Sequence, residues 1–95
     1  MKDDLIKKHA DDIRRIAYSY GVVQLRMFGS HASGTATASS DLDLLVDFAP
    51  ERDLLDLVGL KLDLEELLGC KVDVVTEGSL SPYLRDRILR EAKSL

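Results

Sequence analysis

Three aspartates and one Gly-Ser pair are the residues of this 95-residue chain whose types and spacing could do chemistry. Asp41 and Asp43 form an Asp-Leu-Asp triplet, and Asp73 stands between Val72 and Val74. Successive side chains on a strand point to opposite faces, so residues two apart share a face. If Leu42, Leu44, Val46 and Phe48 make the buried face, Asp41 and Asp43 fall together on the other, and the hydrophobic set fixes that register. Asp73 faces the same way if its strand lies alongside. Neighbouring carboxylates repel and raise one another's pKa, so their grouping adds no stability by itself. Divalent cations remove the repulsion, and hard oxygen ligands suit Mg²⁺ or Mn²⁺. Three acids on one sheet surface could hold two such ions and leave positions for water and substrate phosphates.

Gly29-Ser30 follows a strand-like run and precedes a stretch of small polar residues. Backbone N–H groups and a serine hydroxyl at such a turn can cradle a phosphate, and glycine lets the backbone come close. Each feature has a plainer reading when taken alone. Asp-x-Asp triplets are common at strand ends facing solvent, and Gly-Ser is an ordinary turn and helix cap.

The elements that must position these residues follow from periodicity. Ile6, Ala10, Ile13, Ala17 and Tyr20 recur at helical steps, so a helix is expected over 3–20, with Gly21 as its stop. Val22 to Phe28 reads as a strand in which Val23, Leu25 and Met27 alternate with Gln24 and Arg26. The small polar stretch to Ser40 has no core-forming power and reads as a loop, or a short helix and a loop. Leu42 to Phe48 is a second strand, closed by Pro50. A leucine-rich helix is expected over 52–68, bearing Leu54, Leu57, Val58, Leu64, Leu67 and Leu68. Gly59 inside it marks a close approach to a neighbour, and Gly69 ends it. Lys71 to Thr76 is a third strand. Ser81 and Pro82 open a last helix over 83–93, with Leu84, Ile88, Leu89 and Ala92 on its apolar side. The order predicts an α/β (α+β) domain over 1–95, a small mixed sheet with helices mainly on one face.

Composition narrows the function. Hydrophobic residues make up 45% and charged residues 32%, the balance of a folded globular chain. The net charge of −4 supplies no basic field for nucleic acid, and Lys7, Lys8, Arg14 and Arg15 read as a solvated helix face. No apolar run is long enough to span a bilayer, and the acidic, polar start is not a secretion signal. The lone Cys70 is a small apolar filler, consistent with a reducing cytoplasm.

Taken together, Phe28-Gly29-Ser30-His31-Ala32-Ser33-Gly34, Ser40-Asp41-Leu42-Asp43-Leu44-Leu45-Val46 and Lys71-Val72-Asp73-Val74-Val75-Thr76 resemble the minimal nucleotidyltransferases of the polymerase-beta-like superfamily. That pattern is Gly-Ser, a short spacer, a Ser-Asp-x-Asp-Leu run and a distal aspartate on the next strand. The resemblance covers most of the chain and implies a mechanism. Asp41 and Asp43 would coordinate two Mg²⁺ ions (or Mn²⁺), and Asp73 would join them on the catalytic one. Gly29 and Ser30 would hold the β- and γ-phosphates of a nucleoside triphosphate, ATP by expectation. Where many members carry arginine after Gly-Ser, this chain has His31 and Ser33. Asp47 shares the acid face but sits further along, as a solvated strand end.

Members of this length resemble the antitoxin half of a toxin–antitoxin pair. The resemblance thus implies a HEPN-type ribonuclease toxin as partner, with AMP transferred to one of its tyrosines. The leucine-rich helix leaves room for a partner contact or a homo-oligomer, although ordinary core packing explains most of its leucines. The alternatives are a non-catalytic antitoxin acting by contact, and transfer to a small molecule or RNA.

Overall fold

The structure, a computed structural model, describes residues 6–29 and 41–95. Its elements are helix α1 (Ala10–Ser19), strands β1 (Val22–Phe28) and β2 (Leu42–Phe48), helix α2 (Leu54–Leu68), strand β3 (Val72–Thr76), a 3₁₀ turn (Glu77–Ser79), helix α3 (Pro82–Glu91) and a short strand β4 (Lys93–Ser94). The sheet order is β3-β2-β1-β4. β1 runs antiparallel to β2 and β4, while β2 and β3 are parallel. This is the small mixed sheet expected from the sequence. A parallel pair needs a crossover between its strands, and α2 supplies it.

The core lies between the sheet and α1 and α2. Ile13 and Ala17 of α1 and Leu60, Leu64 and Leu68 of α2 are buried against Val22, Leu25, Leu42, Leu44, Val46, Val72 and Val74. The expected inward set of β2 therefore holds, and Gly59 does mark a close approach. A Cβ built there would lie 2.6 Å from Cε1 of Tyr20. Asp53 caps α2 with a reciprocal arrangement. Its carboxylate accepts from the N–H groups of Leu55 and Asp56, while its own N–H donates to Asp56 Oδ2.

Several expectations need correction. The first helix is broken at His9, which sits between a helical turn at residues 6–8 and α1, with φ −102° and ψ 11°; the segment before Ile6 lies outside the described residues. Val23 is 65% exposed instead of core-facing, because β1 bulges between Val22 and Gln24. The extra residue lets Val22 take the inward place and turns Val23 outward. α2 begins at Leu54 where Asp53 caps it, and Leu54 and Val58 are exposed together with Leu55 and Leu62. They lie on the side of the helix away from Leu60, Leu64 and Leu68. α3 buries no residue, and Leu84 on its expected apolar side is exposed. It stops at Glu91 because Ala92 turns extended and Lys93 and Ser94 pair with Met27 and Arg26 of β1. The short loop or helix expected between Ser30 and Ser40 lies outside the described residues.

Candidate active site

Strand register decides whether the acids meet. In the parallel β2–β3 pair Leu42 stands beside Val72, Asp43 beside Asp73 and Leu44 beside Val74. The two valines and two leucines are buried. Parity then puts Asp43 and Asp73 as direct neighbours on the opposite face, and both are partly buried. Asp41 lies one residue before β2, also partly buried, with Leu42 between it and Asp43 locked inward by its N–H bond to Lys71 O (3.1 Å). Asp73 therefore points neither into the core nor to a separate surface.

Gly29 completes this end of the sheet. It follows Phe28, the β1 partner of Asp43, and has φ +76°. A Cβ built on it would lie 2.5 Å from Asp43 Oδ2. Only the missing side chain lets this backbone pass the carboxylate. Ser30, with His31 and Ser33, lies outside the described residues, so the hydroxyl of the Gly-Ser pair has no geometry here.

Among the described residues, no three His, Cys, Asp or Glu side chains gather closely enough to hold an ion alone. The donor chemistry still suits Mg²⁺. That ion usually takes one or two carboxylates and completes its shell with water and substrate phosphates. A register-paired Asp43 and Asp73, with Asp41 two residues from Asp43, offers that donor set.

Sequence reasoning missed Arg26. Its register partner is Leu45, so it lies on the acid face. Its side chain is only 18% exposed. Nη2 lies 3.8 Å from Asp47 Oδ2, and the buried Nε has no hydrogen-bond partner among the described residues. Asp47 is accordingly an ion-pair partner instead of a solvated strand end. Leu45 is fully buried on this same face, which strict alternation of β2 did not predict. The signal was available once β1 and β2 were paired, because Arg26 and Leu45 both share the parity of Asp43. A cavity of about 470 Å³ between the 3₁₀ turn and α3 is lined by Glu77, Leu80, Arg85 and Leu89 among others, and by none of the predicted site residues.

A family model described as a nucleotidyltransferase domain matches residues 6–95. The chain belongs to that nucleotidyltransferase family. It is 49% identical over 77 residues to MJ0435 of Methanocaldococcus jannaschii, named as a candidate protein adenylyltransferase, covering 81% of this chain and 83% of that one. It is 36% identical over 89 residues to the protein adenylyltransferase MntA of Thermococcus cleftensis, covering 94% and 87%. The solved structure of a candidate minimal nucleotidyltransferase superposes with a TM-score of 0.90 at 45% identity, over 100% of this chain and 97% of the other. A chain from the MntA–HpeT toxin–antitoxin complex gives 0.74 at 26% identity, over 90% and 70%. The minimal nucleotidyltransferase assignment and its mixed-sheet fold thus stand as expected. No helix among the described residues is long and apolar enough to cross a membrane.

Proposed function

We propose that this nucleotidyltransferase transfers AMP from ATP, with Mg²⁺ or Mn²⁺, to a hydroxyl of a partner protein, a tyrosine of a HEPN-type toxin, and acts in the cytoplasm as that toxin's antitoxin. The observation that carries the reading is the Asp43–Asp73 register pair beside Gly29. The names of the relatives support AMP transfer to protein, and the MntA–HpeT likeness supports a toxin partner.

In this reading Asp41 and Asp43 would hold two ions and Asp73 one of them. Once bound, the metal lowers the pKa of the attacking hydroxyl and neutralises charge on the departing pyrophosphate. Gly29 N–H and Ser30 would orient the β- and γ-phosphates. The acceptor oxygen forms its bond to the α-phosphorus as the bond from that phosphorus to pyrophosphate breaks, and the hydroxyl proton passes to water. Arg26 lies on the acid face with its guanidinium turned to Asp47.

Incubation with α-labelled ATP, Mg²⁺ and the product of the adjacent gene should label that product on tyrosine. Absence of label with every nucleotide and with either metal would refute the transfer. A second reading, inhibition by contact without turnover, is favoured by the exposed Leu54, Leu55, Val58 and Leu62 of α2. Under it, Asp41→Asn with Asp43→Asn leaves toxin neutralisation intact. Loss of protection with the complex still formed rules that reading out.

A further inference from the structure

β3 is an outer strand of the sheet, so one side of its backbone has no strand to pair with. At Val72 that side is filled by two side chains of α2. Val72 N–H donates to Glu65 Oε2 (3.0 Å), and Lys61 Nζ donates to Val72 O (2.7 Å). Lys61 Nζ also lies 2.9 Å from Glu65 Oε2. One ion pair therefore closes a ring over both backbone groups of a single residue. On the inner side, Lys71 O accepts from Leu42 N–H, and Asp73 is in register with Asp43. The strand is gripped from both edges immediately before Asp73.

The grip answers a local need. Like charges directly opposite on neighbouring strands destabilise their pairing, and Asp43 and Asp73 are opposite at the outer edge of the sheet. An ordinary exposed i,i+4 ion pair adds little to stability and needs no backbone partner. Here its carboxylate and ammonium are both bonded to the strand. We propose that Glu65 and Lys61 are positioning residues that hold β3, and with it Asp73, in the register the metal site requires. The proposal rests on the reading of Asp73 as a metal ligand.

The test is Mn²⁺ affinity of the full chain with a non-hydrolysable ATP analogue, followed by electron paramagnetic resonance. Glu65→Ala should weaken Mn²⁺ binding about tenfold, the low end of what loss of a residue supporting a metal ligand costs. Glu65→Gln keeps an acceptor for the Val72 amide and should restore most of the affinity. Adding Glu65→Ala to Asp73→Asn should cost nothing further, because residues acting through one another are non-additive. Amide exchange at Val72 should quicken in Glu65→Ala. A folded Glu65→Ala chain binding Mn²⁺ like the wild type overturns the proposal, as does a Glu65→Ala loss that adds in full to that of Asp73→Asn. If Asp73→Asn itself leaves Mn²⁺ affinity unchanged, the metal reading of Asp73 falls and takes the proposal with it. A large Asp73→Asn effect with no Glu65→Ala effect removes the clamp alone. Should Glu65→Ala not fold, Lys61→Met decides, since it deletes only the bond to Val72 O and the ion pair. Severalfold weaker Mn²⁺ binding supports the clamp, and unchanged binding overturns it.

Discussion

Gly29→Ala separates backbone strain from damage to the acid site, provided it is compared with Gly69→Ala. Both glycines have positive φ, +76° and +67°. Alanine in that region costs roughly 1–2 kcal/mol, which lowers the melting temperature of a domain this size by roughly 4–16 °C. Gly69 has nothing within 4 Å of a built Cβ, so strain is its whole cost. At Gly29 the built Cβ lies 2.5 Å from Asp43 Oδ2. Ordinary van der Waals contact needs about 3.5 Å, so the carboxylate must retreat by about 1 Å. A misplacement of that size can cost on the order of 100-fold in rate. The assay is the initial rate of AMP transfer from labelled ATP, taken below the melting temperature of both variants. Gly69→Ala should melt lower and keep its rate, while Gly29→Ala should melt at least as low and lose the rate. Equal rates for the two variants would refute the claim that Gly29 is there to make room for Asp43.

Asp53→Ala removes the carboxylate that accepts from the Leu55 and Asp56 N–H groups at the start of α2 and leaves the backbone bond to Asp56 in place. It should cost about 1 kcal/mol, a fall of roughly 4–8 °C in Tm; an unchanged Tm contradicts the cap. Gly59→Ala should destabilise the wild type, because its Cβ meets the Tyr20 ring. In a Tyr20→Ala background the same change should stabilise by about 1 kcal/mol through helix propensity, and urea melts that show one sign in both backgrounds would dismiss the contact. Bonds from Lys61 and from the Val72 amide hold the Glu65 carboxyl below its usual value. Its stabilising contribution is therefore present above the ordinary glutamate range and lost as pH falls through the lowered pKa. Denaturant melts stepped down in pH should show a slope that Glu65→Gln flattens, and an identical slope counts against the bond. The hydrogen bond from Tyr20 to Asp63 raises the phenol's pKa. Its contribution holds below the ordinary tyrosine value and fades as pH rises through the raised one. Asp63→Asn should bring the tyrosinate absorbance of Tyr20 to lower pH, and an unmoved titration excludes the bond.

How far the sequence was legible depends on whether one element or two decided each feature. The β2 face was legible because Leu42, Leu44 and Val46 fall on one side and Asp43 and Asp47 on the other, an alternation that only Leu45 breaks. The Ser81-Pro82 start of α3 was legible because cap and proline are local signals. Val23 was misread because alternation cannot reveal a bulge, which exists only in the pairing of β1 with β2. β4 was missed for a similar reason. Lys93 and Ser94 carry no strand signal and pair only because the edge of β1 is there to receive them. The exposed leucines of α2 carry apolar side chains on two sides of the helix, and composition alone does not say which side meets the sheet. The acid pair was half legible, since parity set the face of each strand, but the register that puts Asp43 beside Asp73 needed the parallel crossover through α2.

The placement of Arg26 sets where positive charge lies on the acid face. A guanidinium beside a carboxylate makes an internal ion pair, and such a pair at Asp43 would compete with any cation for the same oxygens. Arg26 stands opposite Leu45, midway between Asp43 and Asp47 along β2, and could lean either way. It leans to Asp47, at 3.8 Å. Leu45, fully buried between the two acids in sequence, fills the space on this face. The net charge of −4 provides no field to draw in a polyanion, and Arg26, the one arginine on the sheet's acid face among the described residues, is turned to Asp47. Under the proposed function, triphosphate binding at the Asp43–Asp73 end would depend on cations arriving with the nucleotide, the condition under which paired carboxylates become an advantage instead of a cost.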